Sequence, residues 1–233
     1  MQTPAQRFRA RIAAQQAMER RDALPDGGSL HLQLAQLEID CKAVSSCATN
    51  ADRVALKRET LLPRWTPTIE AWLQNGEVYK YTPFVWCIVW LFDTGEMDKA
   101  LDWADIAIKQ NQPMPPRFDR DLPTFVADEV MQWAQIQFDE GLSVEPYFSR
   151  VLGHIGEDWT LHEEIVAKWY KFAGLNLLRD SDGKPTSPAT LRDVKILRAA
   201  DECMARAQSV TPKAGVRAIR NKIAARLRAL HAA

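Results

Sequence analysis

Trp90-Leu91-Phe92-Asp93-Thr94-Gly95-Glu96-Met97-Asp98-Lys99-Ala100-Leu101, continuing through Trp103-Ala104-Asp105-Ile106-Ala107-Ile108, decides the fold class of this chain. An apolar helix stops at Asp-Thr-Gly. A second helix begins at once, with alanines where two helices must approach closely. The pair, Thr82–Phe92 and Glu96–Gln110, reads as one helical hairpin. The preceding apolar run, Phe84–Phe92, is too short to cross a bilayer and so belongs to a core, and no membrane partner is expected.

Helical patterning extends outward in both directions, and no segment alternates with period two. A basic helix over Pro4–Arg21 ends at Leu24-Pro25-Asp26-Gly27-Gly28. A helix of irregular apolar spacing follows Ser29, and Ala51–Leu62 makes the next. Pro63 and Pro67 bracket Arg64-Trp65-Thr66, where a helix should bend or stop, because proline removes a donor and crowds the preceding turn. A further helix runs to Leu73 and closes at Asn75-Gly76. Beyond the hairpin and Pro113-Met114-Pro115-Pro116, helices are expected at Phe125–Glu140, Glu145–Ile155 and Leu161–Arg179. The polar loop Asp180–Pro188 leads to two more, Ala189–Ser209 and Lys213–Leu230.

Small residues recur in the second helix of two hairpins. Ala200, Met204, Ala207 and Pro212 match the offsets of a tetratricopeptide unit, and Ala100, Ala104 and Ala107 repeat them, with Pro113 one place late. The expected fold is therefore all-α: stacked helical hairpins, tetratricopeptide-like, with a basic N-terminal arm. The expected organisation is an arm at 1–28, a helical region at 29–78 and a hairpin stack at 79–233.

The formal net charge is zero, yet the charge is segregated. Residues 1–21 carry Arg7, Arg9, Arg11, Arg20 and Arg21 against Glu19 alone, a net +4. Residues 206–233 carry seven cations and no acid, a net +7, so the remainder carries −11. Basic ends on an acidic body point to polyanion contacts at the termini. In Lys213–Leu230 the apolar Val216, Ile219, Ile223, Leu227 and Leu230 form a seam. Arg217, Arg220 and Arg228, with Lys213 near them, fall away from it and can neutralise phosphates. The alternative for this helix is a solubilising outer cap on a helical stack. No helix-turn-helix is convincing, so reading of bases in the major groove is not assigned.

The residues that carry catalysis elsewhere lack a pattern here. There is no Gly-x-x-x-x-Gly-Lys-Ser/Thr loop, and His31, His154, His162 and His231 have no ligand spacing, so no cofactor, metal or catalytic residue is expected. Four cysteines without a Cys-x-x-Cys read as reduced, mostly buried thiols. Asp93, Glu96, Asp98, Asp102 and Asp105 cluster, and the last three share a helix face. A two-metal nuclease would need such acids, whereas a solvated helix face needs nothing more. The eight tryptophans lie mostly on apolar helix faces, where core packing accounts for them better than base stacking.

The order and spacing of several short motifs resemble the small terminase subunit of Peduovirus-type tailed phages. The resemblance is carried by Thr3-Pro4-Ala5-Gln6-Arg7, Leu61-Leu62-Pro63-x-Trp65-x-Pro67, Trp90-Leu91-x-Asp93-Thr94-Gly95 and Ala100-Leu101-x-x-Ala104. It continues through Met114-Pro115, Arg120, Pro123, Asp128-Glu129-Val130, Lys168, Gly174-Leu175 and Leu178-Arg179-Asp180. It implies a component of a DNA endonuclease and packaging complex that acts in the cytoplasm of the bacterial host. Such a subunit binds double-stranded phage DNA at the packaging-initiation (cohesive-end) site, commonly as a homo-oligomeric ring, and regulates a large ATPase and nuclease subunit. The family can end in a long Lys/Arg-rich tail, and here the chain stops soon after its last helix. The DNA-binding role then falls on the cations of the arm and of Lys213–Arg228. The missing phosphate loop agrees with ATP hydrolysis residing in the large subunit, and catalysis by this chain is not expected. Two rivals remain: a metal-dependent endonuclease using the Asp93–Asp105 acids, and a tetratricopeptide-like scaffold without DNA binding.

Overall fold

The computed structural model describes residues 30–232, so the expected basic helix over Pro4–Arg21 lies outside the described residues. The described part is all-α, with helices α1 (Leu30–Ser46), α2 (Asn50–Leu56), α3 (Leu62–Asn75), α4 (Thr82–Thr94) and α5 (Met97–Lys109). These are followed by α6 (Leu122–Asp139), α7 (Tyr147–Glu157), α8 (Glu163–Leu177), α9 (Val194–Val210) and α10 (Arg217–His231). Among the described residues no helix is long and apolar enough to cross a membrane. The chain divides into two compact units, one through Leu122 and one from Pro123 onward. Residues 79–122 thus belong with the N-terminal helices, although the sequence groups them with the later hairpins.

The first unit is built around α4, from which α1, α2, α3 and α5 are all reached. Every residue from Pro83 to Phe92 is buried, as expected of a helix that is apolar on all sides. Gly95 ends it in the left-handed conformation (φ 80°), with the amides of Gly95 and Glu96 bonded back to Phe92 and Leu91. The chain then turns straight into α5, where Ala100, Ala104 and Ala107 are fully buried. The hairpin read from the sequence is present.

The expectation of a break at Pro63 and Pro67 is corrected. A π-helical turn, Lys57–Leu61, joins α2 to α3, and the helical path runs on through both prolines. The amide of Leu62 bonds to the carbonyl of Lys57, one residue further back than in an α-helix. The wider turn lies where the ring of Pro63 would otherwise crowd the backbone, so the helix continues without a stop. It also turns two cations onto the C-terminus of α4. Lys57 Nζ donates to Asp93 Oδ2 at 2.7 Å, and Arg58 donates to the Thr94 carbonyl at 2.6 Å. Cations at that end of a helix complement its dipole.

Helix α1 accounts for its own irregular pattern. It buries Gln33, Leu37 and Asp40 while Leu30, Leu32, Leu34 and Ile39 stay exposed. Asp40, 3% exposed, accepts from Trp65 Nε1 at 2.8 Å, Arg64 at 2.9 Å and Gln36 at 2.9 Å. Tyr81 Oη donates to Gln33 Oε1 at 2.7 Å. The polar residues therefore dock the helix.

In the second unit α8 lies along α9, and α9 along α10. Ala200, Met204 and Ala207 are fully buried, and Gly174 faces them from α8. Phe148 stacks on Trp169 at 4.9 Å, tying α7 to α8. Two expected helix starts are corrected. Helix α9 begins at Val194, because the Asp193 carboxylate caps the amides of Lys195 and Ile196. Helix α10 begins at Arg217, after a turn that closes on left-handed Gly215 (φ 71°).

Candidate nucleic-acid interface

The apolar seam of α10 is seated as its spacing demands. Val216 and Ile223 are buried in the core of the second unit, with Ile219, Leu227 and Leu230 packed beside them. Seating the seam sets the direction of every cation on the helix, and those cations fall into two groups.

One group is held internally. Arg220 grips Asp201 of α9 with two hydrogen bonds, Nε to Oδ1 at 2.8 Å and a terminal nitrogen to Oδ2 at 3.1 Å, and reaches Gln208 at 2.9 Å with the other. Such a fork leaves few donors for a phosphate. Arg226 donates to the Leu191 carbonyl at 2.7 Å. On α9, exposed Arg206 lies over the Tyr170 ring at 4.3 Å.

The other group faces solvent. Arg217, Lys222 and Arg228 are exposed on α10, and Lys213 is exposed in the preceding turn rather than on the helix. Of the expected set, Lys213, Arg217 and Arg228 are thus exposed, as is Lys222, while Arg220 is engaged by Asp201 and Gln208. Arg7, Arg9, Arg11, Arg20 and Arg21 lie outside the described residues.

Two further cations stand close by and were missed. Lys168 and Lys171 project from α8 at helical spacing, beside a turn that carries Lys213. In the sequence Lys168 enters only through the resemblance, and neither lysine is marked until the turn before α10 folds beside α8.

Asp93 pairs with buried Lys57 across to the π-helical turn. Among the described residues no three His, Cys, Asp or Glu side chains stand where they could hold a metal ion together. The tryptophans are mostly in the core: Trp65, Trp90 and Trp169 are at most 1% exposed. All four cysteines are free thiols. Burial raises the pKa of Cys41 to about 11 and moves Cys87 in the same direction. Both remain protonated at neutral pH.

Comparison with known proteins adds three findings. Residues 34–164 match the family model of the phage small terminase subunit. The chain is 39% identical over 194 residues to a probable terminase, endonuclease subunit, of Haemophilus phage HP1 (strain HP1c1), covering 83% of this chain and 69% of the relative. It is 29% identical over 181 residues to the terminase, endonuclease subunit, of Escherichia phage P2, covering 77% of this chain and 72% of that one. No solved structure matches the chain. The matched span reaches from α1 into the start of α8, so the cations of α8 and α10 must be judged on their own geometry.

Proposed function

The chain belongs to the phage small terminase subunit family and has its role in phage DNA packaging, and from that premise we propose that it binds packaging-initiation DNA and regulates the large terminase subunit. The observation that carries the DNA-binding part is the outer cationic set Lys213, Arg217, Lys222 and Arg228. No acid occurs after Glu202, and none of these four makes an ion pair with a described residue. Cations left in solvent by a fold that pairs their neighbours are placed to neutralise phosphates and release counterions. Double-stranded phage DNA and the large subunit are its partners, in the cytoplasm of the bacterial host.

The protein works as a homo-oligomer, in the manner of a ring. Leu32 is 52% exposed and Ile39 42% on a helix that buries Gln33 and Asp40 instead. A face of that kind is suited to burial against another copy. The tetratricopeptide-like character rests on the alanine offsets of α5 and α9, which the close helix contacts support.

The names of both relatives include the word endonuclease, which favours a second reading in which this chain cuts DNA itself. The assignment here gives cutting to the large subunit and site binding to this chain. Fluorescence anisotropy with cohesive-end and random duplexes tests the binding. A nicking assay of the purified chain in magnesium and manganese, with and without the large subunit, tests the division of labour. Binding with no cleavage until the large subunit is added supports the proposal. Metal-dependent cleavage by the chain alone, lost on changing Asp98 and Asp102 to Ala, establishes the second reading instead.

A further inference from the structure

Between α8 and the turn that precedes α10 lies a recess of about 290 Å³, lined by Glu164, Ala167, Lys168, Lys171, Thr211, Lys213 and Ala214. The α8 residues fall at successive intervals of three, one and three, so they share one helix face. Three lysines from two elements converge on this space against one carboxylate, and Glu164, one turn from Lys168, can offset only one of them. None of the three lysines makes an ion pair with a described residue. Lys171 is half-buried, and its ammonium has three donors to offer an anion.

The turn is shaped around that ammonium. A Cβ on Gly215 would stand 3.5 Å from Lys171 Nζ, and Gly215 adopts φ +71°, which other residues rarely take. The backbone therefore comes close to the lysine. Lys168 also lines a second, adjoining groove of about 450 Å³ against Asp128, Gln132 and Gln135 of α6. Arg217 follows two residues after Gly215, exposed. A cation beyond the recess on one side and an adjoining groove on the other suit a linear polyanion better than a single small one.

We propose that this recess is a phosphate-binding site, with Lys168, Lys171 and Lys213 as its ligands and a phosphate of the DNA backbone as its occupant. The assignment deepens the DNA-binding reading above and rests on it. Lysine binds phosphate as a point charge, so the site positions DNA without reading bases.

The test compares the full chain with a variant in which all three become glutamine, which keeps most of each side-chain stem and its packing. A control changes Lys80, Lys109 and Lys195, all exposed, in the same way. Duplex binding is followed by anisotropy across a salt series, and circular dichroism melting verifies the fold. The site variant should bind at least about tenfold more weakly, and its slope of log affinity against log salt should shrink by about 2.7, close to 0.9 per lost contact. The Lys168 and Lys213 double variant, which leaves half-buried Lys171 in place, should lose about 1.8 of slope and covers any folding defect in the triple. The control should lose far less. If the parent binds and site and control variants bind equally, the site is refuted while the DNA-binding reading stands. If the parent binds no duplex at low salt, both fail. If inorganic phosphate displaces DNA well beyond chloride of equal ionic strength, the recess serves a free anion, and the backbone assignment is overturned.

Discussion

Arg220 and Asp201 are joined by two hydrogen bonds of 2.8 and 3.1 Å across nineteen residues, and this pair divides the basic surface of the last helix. An arginine that looks equivalent to its neighbours in the sequence is a clamp between α9 and α10. Its partner holds the guanidinium firmly protonated. The cations left facing solvent are those that no such carboxylate reaches.

Charge reversal should separate the two roles. Changing Arg217 and Arg228 to Glu should weaken binding to all duplexes and flatten the salt dependence by at least about 1.8, the slope for two phosphate contacts. Melting temperature should hardly move, because both side chains are exposed. Arg220→Glu should do the reverse. It sets a carboxylate against Asp201, and it should lower the melting temperature while folded protein retains most of its DNA affinity. Anisotropy and thermal melting on the same samples check this.

Asp40 should be among the most sensitive positions in the first unit. Asp40→Ala takes the acceptor from the buried Trp65 indole N–H and the carboxylate from the Arg64 guanidinium, a loss of about 3–5 kcal/mol for a buried pair broken on one side. Glu38→Ala removes a shorter ion pair, 2.6 Å to Lys42, but both of those side chains are exposed, and the unfolding midpoint should hardly move. Urea denaturation of both variants gives the contrast.

Glycine positions offer an independent check of helix packing. An added Cβ at Gly174 would meet Met204 Cγ at 2.8 Å and the Ala200 carbonyl at 2.9 Å, so Gly174→Ala should destabilise by about 1–3 kcal/mol. At Gly153, inside α7, nothing lies within 4 Å, and Gly153→Ala should stabilise by about 0.4–1 kcal/mol. The same denaturation measurement should find opposite signs.

Alkaline pH should weaken the fold. Burial raises the Cys41 thiol from 9.0 to about 11 and moves Cys87 and Tyr81 upward for the same reason. The native state then holds these protons more tightly than the unfolded chain does. That contribution is whole below pH 9 and is lost progressively as pH rises towards 11. Melting temperature measured from pH 8 to 11 should fall across this window, and Cys41→Ser should make the fall shallower.

Much of this fold was legible because its signals are local. Asp93-Thr94-Gly95 marks the end of α4 through a glycine that must be left-handed. The intervals among Ala100, Ala104 and Ala107, and among Ala200, Met204 and Ala207, mark the faces where helices meet. What stayed hidden depends on partners far along the chain. The irregular apolar spacing of α1 has its reason in Asp40, which accepts from Trp65, twenty-five residues on. Pro63 looked like a stop because a π-helical turn has no sequence pattern of its own. The cationic surface was legible as a charge excess only. Which of its members face solvent depends on Asp201 and Leu191, and Lys168 and Lys171 join it only through the turn that carries Lys213.

The central claim, an oligomeric DNA-binding packaging subunit, is tested most directly by the mass of the native particle with and without duplex DNA. Sedimentation velocity at tens of micromolar should give a closed multiple of the 26.4 kDa chain. Adding cohesive-end duplex at low salt should raise the mass by that of the DNA, and raising the salt should reverse the gain. A 26.4 kDa monomer whose sedimentation is unchanged by duplex at every salt concentration would contradict the account.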